Sequence, residues 1–180
     1  MKATGIVRKI DELGRVVIPK EIRKSLRIRE GDPLEIYVEK NGEVILKKYA
    51  PLGDMQEISE QYVDTLAKTT GFAACITDNE TIIAVSGASK KEYLDKSISS
   101  HILNVMDDRA IWSTKDDSIM PIIADDKADY FSQIIAPIIA DGDAIGTVIL
   151  FSNDYKKKIT DVEYKLVQSA AAFIGRQMEL

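Results

Sequence analysis

The sequence predicts an α+β protein in two parts, a small β-rich module at the N-terminus joined by a helix to a larger α/β domain. Three observations carry that prediction. From Ile10 to Lys48, strand, turn, short basic helix and hairpin signals are compressed into one segment, with Asn41-Gly42 between two strand-like runs. Charge breaks just beyond it: residues 1–50 hold 12 Lys+Arg against 8 Asp+Glu, a net of +4, in a chain of net −5, which leaves −9 for residues 51–180. After the break, helical periodicity and hairpin signals follow in the order helix, strands, helices, hairpin, terminal helix. At 180 residues and 45% apolar composition the chain can bury a real core, and the charge break divides it into a module over 1–50, a linker over 51–55 and a domain over 56–180.

In the first module, a two-residue Asn41-Gly42 turn would set Val38 opposite Ile45 and Tyr37 opposite Leu46, placing apolar pairs on both faces of the ribbon. A lone hairpin cannot bury both. A unit of this size is also marginal as a single core, so a second copy of the segment is the expected cover and an obligate homodimer is predicted. Its cations gather at one end of the motif. Arg8 and Lys9 fall in a predicted first strand, Arg15 follows the Leu13-Gly14 turn, and Arg23 and Lys24 lie on a helix opened by Pro19. A positive module on an otherwise acidic chain is what attraction to phosphate requires, and double-stranded DNA is the predicted partner. A solvated basic face has the same composition.

The run GRVVIPKEIRKSLRIREGD resembles the swapped-hairpin module of the AbrB transition-state regulators over residues 2 to about 50. That resemblance implies a dimeric swapped-hairpin β-barrel in which two chains interleave their hairpins. It further implies that Arg8, Arg15, Arg23 and the basic position at Lys24 meet DNA; with the neighbouring Lys9 they form the candidate DNA-binding set. Arg can fork onto guanine edges or phosphates, whereas Lys24 stands where some relatives have Arg and acts as a point charge.

From Tyr49 to Gly53 the composition reads as a linker, and Asp54 with Glu57 resembles a capping box opening a helix with Met55, Ile58, Tyr62, Val63 and Leu66 at helical spacing. Gly71 ends it. FAACITD and ETIIAVSG give two strands of one hairpin, and Ser89 with Glu92 and the Ser97/Ser99 group mark two further helix starts. Residues 113–130 are polar and irregular, with Lys115-Asp116-Asp117 and Asp125-Asp126-Lys127 bracketing Ile119 to Ala124. Two apolar runs around Asp141-Gly142 then form the clearest hairpin. The last helix opens at Thr160 with Glu163 completing a capping box, and Leu166, Ala170, Phe173, Ile174 and Met178 line it. The Met55–Leu66 and Val162–Met178 helices are predicted to pair between chains, making a homotetramer from two dimers.

APIIADGDAIGTVILFSND resembles the closing hairpin of GAF domains, and the two halves together resemble the sporulation regulators of spore-forming bacteria that join a swapped-hairpin module to a GAF-like sensor domain. The resemblance is strongest in residues 1–50 and near Pro137 and weakest between about 95 and 130. It implies a DNA-binding transcriptional regulator of sporulation, activator or repressor, whose GAF-like domain senses a signal or small-molecule ligand that the residues leave unspecified and mediates oligomerisation. An isolated aromatic is more often core than pocket wall, so Trp112 and Phe131 are read as core.

Catalytic groupings are largely missing, and no enzyme activity, cofactor or metal is expected. One histidine, His101, and one cysteine, Cys75, do not make a zinc site of the usual ligand set within a chain, and a serine triad would depend on that histidine alone. His101 is read as an exposed or partly buried helix residue and Cys75 as a buried inert thiol. Gly87-Ala88-Ser89-Lys90-Lys91 lacks P-loop spacing, and the acidic pairs Asp107-Asp108, Asp116-Asp117 and Asp125-Asp126 read as solvated surface. No apolar run reaches the roughly 20 residues of a membrane span, and Met1 to Ile10 has no apolar core of a signal peptide, so a cytoplasmic protein is expected. The alternative function is the antitoxin of a toxin–antitoxin pair, since the same swapped-hairpin fold serves there. Helix caps and hairpins through residues 51–180 argue for a folded domain rather than a toxin-wrapping tail.

Overall fold

The computed structural model describes residues 5–179 except 27, 29, 32, 49–51, 53–54, 115–118 and 127–128, and the chain forms two compact units, Met1–Tyr49 and Ala50–Leu180. Most of the predicted linker (Ala50, Pro51, Gly53), the Asp54 helix start and the Lys115-Asp116-Asp117 run lie outside the described residues.

In the first unit an extended segment with a turn at residues 11–15 leads into α1 (Lys20–Ser25), followed by β1 (Leu34–Val38) and β2 (Val44–Lys48). Residues 5–10 belong to no strand, which corrects the placement of Arg8 and Lys9 in one. The reason is supply of partners: β1 and β2 pair with each other, and a further strand needs a neighbour that this chain alone does not offer. Pro19, φ −56° and ψ 146°, caps α1 from outside rather than forming its first turn, and its carbonyl accepts the Arg23 N–H at 2.9 Å.

The hairpin register also differs from the prediction. Val38 pairs with Val44, Tyr37 with Ile45 and Ile36 with Leu46, and with the Glu39 N–H on the Glu43 carbonyl at 2.9 Å the loop is the three residues Lys40-Asn41-Gly42. Only Gly42 takes a positive φ, +86°. Asn41 instead accepts the Glu43 N–H through its side chain at 3.2 Å, a local bond that holds it out of the left-handed conformation a two-residue turn would demand. The shift sorts the faces. Leu34, Ile36, Val38, Val44 and Leu46 share one face, while Glu35, Tyr37, Ile45 and Lys47 share the other, where the Tyr37 hydroxyl donates to Glu35 at 2.6 Å and Lys47 Nζ lies 4.6 Å from the Tyr37 ring centre. The apolar face is the open one: Ile36, Val38 and Val44 are 64, 76 and 65% exposed.

The second unit is a three-layer sandwich. It comprises α2 (Gln56–Thr70), β3 (Ala73–Thr77), β4 (Ile82–Ser86), α3 (Lys90–Tyr93), α4 (Ser100–Asp108), β5 (Trp112–Ser113), β6 (Ser132–Ala140), β7 (Asp143–Ser152) and α5 (Asp161–Met178). The strands form one antiparallel sheet in the order β4-β3-β7-β6-β5. Alternate residues of each strand feed two cores. Ala74, Ile76, Ile134, Ile138, Val148 and Leu150 meet α2 and α5, whereas Cys75, Ile135, Ile149 and Phe151 meet α3, α4 and the loops beside them.

Local chemistry ends and starts the helices. Gly71 closes α2 at φ +71° with its N–H on the Ala67 carbonyl, Ser99 caps α4, and Thr160 with Glu163 forms the capping box of α5. The inner stripe of α5 is Val167, Ala170, Ala171, Ile174 and Gly175, with Phe173 turned outward to stack on Tyr62 of α2 at 5.7 Å. Close approach is built into this packing: a Cβ at Gly175 would lie 2.1 Å from the Ile139 carbonyl oxygen. Between β6 and β7 the turn is the predicted two-residue one, with Asp141 and Gly142 both at positive φ. Pro137 is tolerated inside β6 because its nitrogen points the same way as that of Gln133, four residues earlier, toward the edge carrying short β5 and past its end.

Candidate nucleic-acid interface

All five candidate cations, Arg8, Lys9, Arg15, Arg23 and Lys24, are exposed on the first unit. Arg23 and Lys24 sit in the last turn of α1, beyond Pro19 and opposite in sequence to Glu21 of the first turn. Arg8 and Lys9 lie on the extended segment. Among the described residues, no ion pair engages Arg8, Lys9, Arg23 or Lys24, so their charges are available to an anionic partner.

Arg15 is different, because its position is organised by Asp11. One carboxylate oxygen, Oδ1, accepts the backbone N–H of Leu13 at 3.0 Å and of Arg15 at 2.8 Å. The other, Oδ2, accepts Arg15 Nε–H at 3.2 Å. Backbone bonds from Gly14 N–H to the Asp11 carbonyl and from Asp11 N–H to the Arg15 carbonyl close the turn, with Gly14 at φ +76°. Sequence reading missed Asp11. Its signal was present, an Asp two residues before Leu13 and three before a glycine, the pattern of a side chain that bonds its own turn.

The structure brings other polar groups together inside the second unit, on the side of the sheet covered by α3 and α4. Tyr93 and Tyr130 hydroxyls lie 2.9 Å apart, Tyr130 donates to Asp126 at 2.6 Å, and Asp126 also accepts the Ile122 N–H at 2.9 Å. Both rings pack on Phe151, at 5.2 and 5.3 Å. Burial holds both phenols above the usual tyrosine range, and for Tyr130 the Asp126 carboxylate adds to the effect. Of the two isolated aromatics read as core, Trp112 packs against this cluster, but Phe131 is 54% exposed and meets Tyr155 edge-on. Adjacent residues of an extended segment face opposite ways, so placing Tyr130 inside turns Phe131 out.

Gln133, fully buried, fastens the segment after β5. Its amide accepts the Met120 N–H at 3.0 Å and donates to the Met120 carbonyl at 2.9 Å, as a strand neighbour would. His101 is exposed on α4. Cys75 is fully buried, and burial pushes its thiol up, away from the reactive thiolate. Asp107, Asp108 and Asp125 are exposed, and among the described residues no group of three or more His, Cys, Asp and Glu side chains is placed to hold a metal ion. No helix is long and apolar enough to cross a membrane, among the described residues.

Comparison with known proteins divides at the boundary between the units. Residues 54–179 match the family described as Stage V sporulation protein T C-terminal, transcription factor, and residues 7–54 match the family described as Antidote-toxin recognition MazE, bacterial antitoxin. The transition state regulatory protein AbrB of Bacillus subtilis is 55% identical over 71 residues, 39% of this chain and 73% of that protein. The GAF domain of an Acinetobacter phosphoenolpyruvate-protein phosphotransferase superposes with a TM-score of 0.57 over 69% of this chain and 81% of that one at 11% identity, a likeness of fold alone. Stage V sporulation protein T of Bacillus subtilis is 50% identical over 179 residues, 99% of both chains. Identity sustained across both units, joined in the same order, places this chain in the stage V sporulation protein T family.

Proposed function

We propose that this protein is a DNA-binding transcriptional regulator of sporulation, with residues 1–50 as the DNA-binding domain, 51–55 as a linker and 56–180 as a GAF-like sensor and oligomerisation domain. The observation that carries the reading is the exposed set Arg8, Lys9, Arg15, Arg23 and Lys24 on a basic unit of a chain otherwise acidic, in a protein similar end to end to a sporulation protein. The open apolar face of the β1/β2 hairpin supports a homodimer in which two chains interleave their hairpins into one barrel, bringing two sets of these cations to one duplex. Exposed Ile58 on α2 and exposed Val162 and Phe173 on α5, with Phe173 stacked on half-buried Tyr62, offer apolar surface suited to joining two dimers into a tetramer. The aromatic cluster of Tyr93, Tyr130 and Phe151 marks the region between sheet and helices where a small-molecule signal would act. The protein works as a non-enzymatic cytoplasmic regulator in this reading.

Binding is dominated by phosphate neutralisation, with limited base readout and a contribution from DNA deformability. Fluorescence anisotropy of duplex DNA across a salt series tests it. Affinity should fall steeply with salt, and Arg23→Ala should weaken binding to every sequence and flatten the slope by about one unit where the contact is to phosphate. No binding by the full chain rejects the reading.

One observation favours a second reading, an antitoxin: the match of residues 7–54 to an antidote-toxin family. Against it stands the folded second unit, which is no disordered toxin-wrapping arm. Loss of an antitoxin frees its toxin, so a deletion strain that grows normally removes this alternative.

A further inference from the structure

We propose that Asp11 is a positioning residue for DNA recognition, holding the Arg15 guanidinium by its Nε edge so that the remaining Nη donors meet the duplex already aimed, and thereby setting sequence preference. The inference rests on the DNA-binding reading of Arg15 given above.

Three features carry it. The Asp11 carboxylate is itself fixed, because Oδ1 is held by the Leu13 and Arg15 N–H groups while Oδ2 is left to take Arg15 Nε–H at 3.2 Å. An arginine bound at Nε keeps its Nη fork for a guanine edge or a phosphate, and a fork whose direction is set in advance loses less rotamer freedom on binding. Folding does not need the pair, since both side chains are largely open to solvent, Arg15 at 68% and Asp11 at 47%, where ion pairs contribute little to stability. Charge alone argues against placing a carboxylate beside an arginine that must meet phosphate, because it subtracts from the attraction. Orientation and bare charge therefore predict opposite results when the carboxylate is neutralised.

Asp11→Asn separates them, because the amide oxygen still accepts the two backbone N–H groups while the negative charge facing Arg15 is gone. Anisotropy is read with the full chain on two duplexes at one salt concentration: the duplex most enriched by the wild type from a random-sequence library, and a scrambled duplex of the same composition. The ratio of the two affinities should fall roughly fivefold or more, within the range one bidentate base contact discriminates, while binding to the scrambled duplex stays equal or tightens. In an Arg15→Lys background, which has no Nε–H, Asp11→Asn should leave the ratio unchanged. Equal tightening on both duplexes, no change on either, or a wild type that prefers no sequence overturns the proposal. A wild type that binds neither duplex overturns the DNA reading instead. Should Asp11→Asn not fold, Arg15→Lys alone decides: it leaves the Asp11 turn bonds in place, and a ratio it preserves overturns the proposal.

Discussion

The β6/β7 hairpin is buried on both faces, whereas the β1/β2 hairpin in a single chain leaves its apolar face open. In the first, Ile134, Ile138 and Leu150 lie under α2 and α5, and Ile135 and Ile149 lie under the opposite layer, all fully buried. In the second, Ile36, Val38, Val44 and Leu46 face solvent. The two have similar apolar content but differ in what the chain supplies around them. Residues 50–180 bring their own covering helices, while the described part of residues 1–49 carries one six-residue helix with no buried residue. The core of the second unit is therefore closed within one chain, whereas the apolar face of the first would be covered only if it associates.

Substitutions in the two hairpins should break along that line. Ile149→Ala, at a position with no exposed surface in the central β7 strand, should destabilise the second unit by about 2–5 kcal/mol, seen as a lower urea midpoint by Trp112 fluorescence that does not move with protein concentration. Val38→Asp costs a single chain little, because the side chain is already in water. If a second copy covers that face, the carboxylate must be desolvated there, and the dimer dissociation constant should rise by roughly a hundredfold. Sedimentation equilibrium showing an unchanged dimer would mean that this face is not the contact.

Smaller effects sharpen the comparison. Tyr130→Phe removes the bonds to Asp126 and Tyr93 and should cost the second unit ~2 kcal/mol. It should also change the response to alkali. Both phenols ionise above the ordinary tyrosine value of about 10 when folded, so their contribution to stability is complete below that pH and is lost as pH rises beyond it. Denaturation midpoints measured from pH 8 upward should fall above about pH 10, less steeply in the Phe variant. Gly42→Ala and Gly142→Ala should each cost about 1 kcal/mol. Both glycines have positive φ and open space around a new Cβ, so the penalty is the backbone's and should be alike despite the contrast in burial.

Features encoded within a few residues were legible in the sequence. The Thr160–Glu163 capping box follows from side chains acting on their own backbone, and the Gly71 stop and the Asp141-Gly142 turn from the positive φ those residues adopt. The β1/β2 register was not, because Asn41 used its side chain on Glu43 and left the positive φ to Gly42 alone. Nor were the contacts between distant segments. The pairing of β3 with β7 and the Gln133 clasp on Met120 leave no periodic trace, and the described residues around Pro121 are tied by such single bonds, including Ser99 Oγ on the Pro121 carbonyl at 2.6 Å. Within the candidate interface the cations were readable by type, while Arg8 and Lys9 lie on an extended segment and not in the strand expected of them. Asp11 was hidden because acids within a basic motif look like dilution of its charge until the turn geometry gives one of them a task.

Thr114 takes up the Gln133 backbone groups at the outer margin of the sheet. β5 contributes only two residues there, so β6 would otherwise present a run of backbone donors and acceptors to any extended peptide. An invading strand instead meets Thr114, whose backbone N–H and hydroxyl already bond the Gln133 backbone, and at Pro137 a position with no hydrogen to share. Closing a sheet margin with one threonine and one imino acid leaves this domain a poor template for accretion.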